Sequence, residues 1–176
     1  LEQNGVVATF FYTGSRATKR PDQVKRAKSL GCEMGNHSWN HPQLTKISAD
    51  QAKEQITKTN NAVEAACGSA PTVFRPCYGA TNDSINAMAQ MPVIMWTVDT
   101  LDWKTKDAQK TFDCVKAKAD QGKLDGKIVL MHSIHEPTAG ATEKLIPWLK
   151  ENGYQLVTVS ELIKYKKGED PQNGKV

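Results

Sequence analysis

The sequence predicts an α/β protein. Short apolar runs alternate with amphipathic segments from one end to the other, which is the pattern of strands and helices laid down in turn. Histidine, arginine, aspartate and tryptophan recur just after the apolar runs, and in barrels and open parallel sheets the loops at the carboxyl ends of strands converge to build active sites. At 176 residues the chain has the length of one domain, and no internal repeat or linker divides it.

The first run, Val6 to Tyr12, reads as a buried strand ending before Gly14. A helix follows from about Pro21 and stops at Gly31, and Cys32 to Gly35 forms a short strand with Asn36 and His37 at its exit. Ser48-Ala49-Asp50-Gln51 is a capping box opening a long helix to about Ala66, broken by Gly68 and Pro71. Thr72 to Phe74 is the next strand, with Arg75-Pro76-Cys77-Tyr78-Gly79 as its exit loop. A helix near Ser84 to Gln90 leads into Val93 to Val98, an apolar strand that delivers Asp99, Asp102 and Trp103 to its end. Asp107 caps a helix to about Gln121, and Lys127 to Met131 is a strand ending at His132. A helix from about Ala141 to Asn152 contains Pro147, which implies a kink or a break. Tyr154 to Val157 is the last strand, Thr158 to Glu161 opens a terminal helix with a second capping box, and the tail from Gly168 is an exposed loop.

Composition closes off several functions. The chain is 39% hydrophobic and 24% charged, with no run near the roughly 18 apolar residues of a membrane span. Leu1-Glu2-Gln3-Asn4 has none of the zones of a signal peptide, which leaves secretion open for a mature or trimmed product. The net charge of +4 is spread out, and the Lys164-Tyr165-Lys166-Lys167 cluster reads as a solvated helix end rather than a nucleic-acid stripe. Cys32, Cys67, Cys77 and Cys114 contain no Cys-x-x-Cys pair; two bridges are permitted, and buried free thiols are expected.

Four segments carry chemistry. In His37-Ser38-Trp39-Asn40-His41-Pro42, two imidazoles four residues apart point the same way if the segment forms a helical turn, and imidazole suits zinc, cobalt and nickel. A catalytic zinc needs a third protein ligand; Asp83, Asp99 and Asp102 all qualify, and spacing does not choose among them. In Arg75-Pro76-Cys77-Tyr78-Gly79, a permanent cation precedes a restricted turn whose backbone N–H groups can face an oxyanion. Asp102 and His132 make a candidate acid pair, because a carboxylate fixes the tautomer of an imidazole and keeps a proton ready for a leaving group. His135 is a nearby alternative, but only His132 directly follows the apolar strand. Trp39 and Trp103 suit stacking on sugar rings and equally suit core filling.

Taken in order, His37 to Pro42, Arg75 to Gly79, Asp99-Thr100-Leu101-Asp102-Trp103 and Leu130-Met131-His132 resemble the motifs of the polysaccharide deacetylases of carbohydrate esterase family 4, the NodB homology domain. Ala8 to Phe11 and Gly153 to Ser160 match as well, so the resemblance spans nearly the whole chain. It implies a distorted (β/α) barrel over residues 1–167, followed by a tail over 168–176. The implied activity is metal-dependent removal of acetyl groups from N-acetylglucosamine residues of peptidoglycan or chitin-like polymers, with O-acetylated xylan as the alternative substrate, at the cell surface or outside the cell. His37 and His41 would be ligands of a divalent ion, zinc with cobalt or nickel as alternatives. His132 would be the general acid, Asp102 would tune it, and Arg75 would orient a catalytic-base aspartate. The Tyr78 N–H would stabilise the oxyanion, and Trp103 and Leu130 would line the acetyl pocket.

The sequence departs from the family at the first motif, Thr-Phe-Asp-Asp-Gly, which supplies the metal-ligating and base aspartates and which these residues do not contain. The expectation is therefore a first strand missing from this chain and an N-terminal fragment that supplies both aspartates; a carbohydrate-binding protein without catalysis is the reading from another class. Cys77 stands where the family has proline, which the backbone oxyanion contact tolerates and which places a thiol near the metal.

Overall fold

The structure is a computed structural model that describes residues 1–168 and 174–175. In chain order its elements are β1 (Thr9–Tyr12), α1 (Gly14–Lys19), α2 (Pro21–Ser29), β2 (Glu33–Asn36), α3 (Ala49–Cys67), β3 (Val73–Phe74), α4 (Asp83–Ala89), β4 (Pro92–Val93), β5 (Val98–Asp99), α5 (Asp102–Thr105), α6 (Ala108–Asp120), β6 (Val129–Leu130), α7 (Glu136–Glu151), α8 (Val159–Lys167) and β7 (Gly174–Lys175). The α/β class is as expected. The chain divides into two compact units, one of Val7–Met95 with the residues from Val157 onward, the other of Leu1–Val6 with Trp96–Leu156.

The first unit is built on a parallel sheet of order β1-β2-β3-β4-β7. Thr9 pairs with Glu33 and Tyr12 with Asn36, then Asn36 with Phe74 and Phe74 with Val93. Helix α3 starts at the expected capping box, with Ser48 and Gln51 each bonding the other's backbone N–H. It buries Ala52, Ile56, Thr59 and Val63, a helical stripe facing the core. Leu44, Ile56, Phe74, Ile85 and Val93 make one buried cluster here. Helix α8 begins at the second capping box, Thr158 with Glu161, and is tied to the sheet through the Glu33 carboxylate, which accepts from Ser160 and from the Thr9 and Thr72 hydroxyls.

The second unit holds the parallel pair β5 and β6, with Val98 opposite Val129 and Asp99 opposite Leu130. Its core joins Val98, Val115, Leu124, Leu145 and Leu149. Asp107 caps α6 by accepting the Lys110 N–H.

Three expected elements come out differently. Val93 to Val98 is not one strand: its ends belong to different sheets, because the Arg75 guanidinium takes the carbonyls of Ile94 and Met95 while Thr97 and Val98 donate to Ile128. Helix α7 starts at Glu136, five residues before Ala141, with Pro137 in its first turn where a missing N–H costs nothing, and it runs through Pro147 without a break. Tyr154 to Val157 is not a strand; no described strand borders it, although Tyr154 and Leu156 pack on the core of the second unit. The short helices α1 and α5 were not expected. Most of the tail lies outside the described residues, and Gly174–Lys175 pairs with β4 instead of forming an open loop. No described helix is long and apolar enough to cross a membrane.

A Cβ on Gly14 would lie 2.4 Å from the Trp39 ring and 2.8 Å from the Thr59 hydroxyl. Trp39 is thus a packing residue, with the Lys58 ammonium at 4.3 Å from its ring centre. The Gly14→Ala variant should lose about 1–3 kcal/mol in urea unfolding, the ordinary cost of overpacking a filled site.

Candidate active site

Strand β2 ends at Asn36, and the chain then leaves the sheet in a loop rather than the helical turn the His-x-x-x-His spacing suggested. Ser38 and His41 both sit in left-handed backbone, at φ 63° and 67°, a conformation that strains non-glycine residues. Side chains from neighbouring elements hold them there. Asn36 Oδ1 accepts the Ser38 N–H at 2.8 Å while its amide donates to Ile56 O and Asn60 Oδ1 on α3. Gln55 Oε1, also on α3, accepts the N–H groups of Trp39 and Asn40. Ser38 Oγ accepts the His41 N–H, and the Gly14 and Ser15 N–H groups of α1 reach the Ser38 and Trp39 carbonyls.

The loop brings His37 and His41 together, with their Nε2 atoms 3.1 Å apart and their rings at 72°. His37 Nδ1 lies 2.6 Å from the Arg75 carbonyl. A carbonyl can only accept, so Nδ1 carries the hydrogen and Nε2 keeps its lone pair. Two nitrogens bound to one tetrahedral zinc stand about 3.3 Å apart, so the pair has the donor chemistry and separation of two metal ligands, and His37 the tautomer of one. Asp83, Asp99 and Asp102 do not join them; among the described residues the group of three close enough to share an ion is His37, His41 and Cys77.

The Arg75 to Gly79 segment forms a tight turn beside the histidines. The Arg75 guanidinium is buried over the Phe11 ring, bonded to the Ile94 and Met95 carbonyls, and burial lowers its pKa to about 10. Tyr78 has left-handed backbone (φ 59°), and its ring meets the edge of His41 at 4.7 Å. The N–H groups that close this turn are those of Gly79 and Ala80, so that of Tyr78 is not among them. Cys77 is buried under the histidine loop, with Sγ 3.2 Å from Ser38 Oγ and 3.5 Å from the His37 carbonyl. Burial raises its thiol to about 11, so the sulfur carries its proton at neutral pH. All four cysteines are free; Cys32 and Cys77 are buried, while Cys67 and Cys114 are half-buried.

In the second unit Asp102 opens α5 with a carboxylate that accepts four hydrogen bonds. Oδ1 takes His132 Nδ1 at 2.8 Å and the Trp103 N–H, and Oδ2 takes the His132 N–H at 2.6 Å and the Thr138 hydroxyl. Burial alone would raise its pKa, but the bonds from the His132 ring, the His132 N–H and Thr138 outweigh it and hold the carboxyl at about 2. An ionised carboxylate only accepts, so His132 Nδ1 carries a hydrogen and Nε2 is the nitrogen left to exchange protons. Trp103 is half-exposed beside this pair, Leu130 is buried, and the Leu130 carbonyl is fixed by Thr100 Oγ1 at 2.8 Å. His135 is the N-cap residue of α7.

The sequence marks Asn36 only as a strand-exit residue and gives no role to Gln55 or Thr138. Thr138 lies in the first turn of α7, ahead of the Ala141 start that the sequence suggests; the Glu136-Pro137 pair is the signal for it. Gln55 carries no local signal, because its partners are contiguous with it only after folding.

Because Asp102 ionises at about 2 in the folded protein against an ordinary ~3.9, its contribution is complete above pH ~4 and is lost as pH falls through 2. The carboxylate is worth about 2 kcal/mol at pH 7 by this linkage. Urea unfolding of Asp102→Asn should therefore show a loss of that order at pH 7 that shrinks as the solution is acidified toward pH 2.

Comparison with known proteins places these residues in a family. Residues 1–96 match the family model for polysaccharide deacetylase. The chain is 43% identical over 175 residues to the peptidoglycan-N-acetylglucosamine deacetylase PgdA of Listeria monocytogenes, covering 99% of this chain and 36% of that protein. The structure of peptidoglycan deacetylase PdaC from Bacillus subtilis matches with a TM-score of 0.90 and 40% identity over 96% of this chain and 81% of that one. BA3943, a carbohydrate esterase family 4 pseudoenzyme from Bacillus anthracis, matches with a TM-score of 0.81 and 32% identity, over 93% and 57%. The chain spans about a third of the length of the curated relatives it matches first. With two parallel-sheet units, a paired-histidine loop and an Asp102–His132 pair, the chain belongs to the polysaccharide deacetylases of carbohydrate esterase family 4.

Proposed function

We propose that residues 1–167 act as the catalytic domain of a metal-dependent deacetylase that hydrolyses the acetamide of N-acetylglucosamine residues in peptidoglycan or a chitin-like polymer, at the cell surface or outside the cell. The observation that carries this is the histidine pair: two Nε2 atoms 3.1 Å apart, with His37 held in the ligating tautomer by the Arg75 carbonyl. The similarity to peptidoglycan deacetylases favours an amide of a cell-wall glycan over acetylxylan.

His37 and His41 would hold a divalent ion, zinc before cobalt or nickel. When bound, that ion supplies Lewis-acid chemistry, polarising the acetyl carbonyl and activating water. The Tyr78 N–H donates to the oxyanion that develops on the acetyl oxygen. His132, steered by Asp102, gives the proton from Nε2 to the departing amine. Trp103 and Leu130 receive the acetyl methyl. Arg75 orients the base aspartate from its fixed place under the Ile94 and Met95 carbonyls. The metal-ligating and base aspartates of the first family motif are not among these residues, so the reading requires that they come from an N-terminal piece outside them.

The similarity to a pseudoenzyme favours one second reading, a glycan-binding domain without catalysis. Intact mass separates the two: a co-purifying N-terminal peptide with an Asp-Asp pair supports the enzyme.

Acetate release from acetylated chito-oligosaccharides, measured with the protein that includes those aspartates, should stop on chelation and return with zinc. Turnover indifferent to the chelator would sink the metal mechanism. His132→Ala should lower kcat by roughly 10²–10⁴-fold, the usual worth of a general acid, with little change in KM.

A further inference from the structure

Cys77 is the side chain at the histidine pair that the proposed reaction does not use. One donor atom each from His37, His41 and Cys77 lies within 4.8 Å of the other two. Three atoms so spaced share a point about 2.8 Å or less from each. Zinc bonds to nitrogen and sulfur are about 2.0–2.3 Å long, so closing on one ion takes shifts of at most about 0.5–0.8 Å. The sulfur is held only by weak bonds, 3.2 Å to Ser38 Oγ and 3.5 Å to the His37 carbonyl. Both partners belong to the same loop as the histidines.

The geometry points to a nitrogen–sulfur site in which Cys77 joins His37 and His41 as a third protein donor to a thiophilic divalent ion. The inference rests on the reading of the two histidines as metal ligands. It adds sulfur, as the third donor that these residues themselves supply, to the two-histidine, one-aspartate set that the family resemblance implies, in which proline stands at the Cys77 position. On binding, a sulfur lone pair forms the metal bond, the S–H bond breaks, and the proton leaves to solvent; no electron changes hands. Thiolate is a soft ligand, so this set favours zinc, cobalt and cadmium over manganese or magnesium.

Cobalt(II) titrated into the purified protein should produce a near-ultraviolet sulfur-to-metal charge-transfer band. Cys77→Ser should lose the band while still binding cobalt through the histidines, and its cadmium affinity should fall at least about tenfold with manganese affinity unchanged. X-ray absorption of the zinc-loaded wild-type protein should show one sulfur at about 2.3 Å, and this decides the matter alone if the variant does not fold. A shell of nitrogen and oxygen only, or a band that persists in Cys77→Ser, overturns the sulfur ligand and leaves the histidine site standing. Failure of the wild-type protein to bind any of these ions overturns both.

Discussion

The register between β2 and β3 is the constraint on which the histidine site depends. Pairing Asn36 with Phe74 places the next residue of each strand, His37 and Arg75, side by side. The Arg75 N–H then reaches the Asn36 carbonyl at 2.9 Å, and the Arg75 carbonyl reaches His37 Nδ1 at 2.6 Å. A slip of one residue would exchange the two buried faces of β3, putting Val73 where Phe74 packs, and remove the acceptor that sets the imidazole tautomer. Burial of Val73 and Phe74 therefore protects a chemical property of His37.

The second unit reaches a comparable end through charge. Asp102 is fully buried, and an isolated carboxylate there would be costly; four donors make it the ionised anchor of His132. Two of those donors are backbone N–H groups, from Trp103 and His132, so the pair is fixed by the start of α5 and the end of β6 together.

What the sequence made legible was local. Ser48 with Gln51, Thr158 with Glu161, and Asp107 announce helix starts within four residues, and all three caps form. The motif residues of the family were also legible, though their arrangement was not. The run Val93 to Val98 shows that its two ends are buried but not which strand each end will meet, and the Arg75 side chain that interrupts it lies about twenty positions away. The His37–His41 spacing suggested a helical turn, whereas the structure reaches the same convergence through two left-handed residues that no residue type there announces. Cys77 was legible as a thiol near the metal, but its distance to the histidines needed the fold.

Those left-handed residues tie the site to a helix on which no ligand sits. Strain of this kind costs on the order of 1–3 kcal/mol at each residue and persists only where the surroundings over-determine it. Here the surroundings are Gln55 on α3 and Asn36, itself anchored to α3 at Ile56 and Asn60. The stiffness of the metal-binding loop is thus borrowed from a nineteen-residue helix. Variation along the buried face of α3 is felt as a change in how sharply two imidazoles are aimed, so drift in the core of this domain is filtered by its chemistry as well as by its stability.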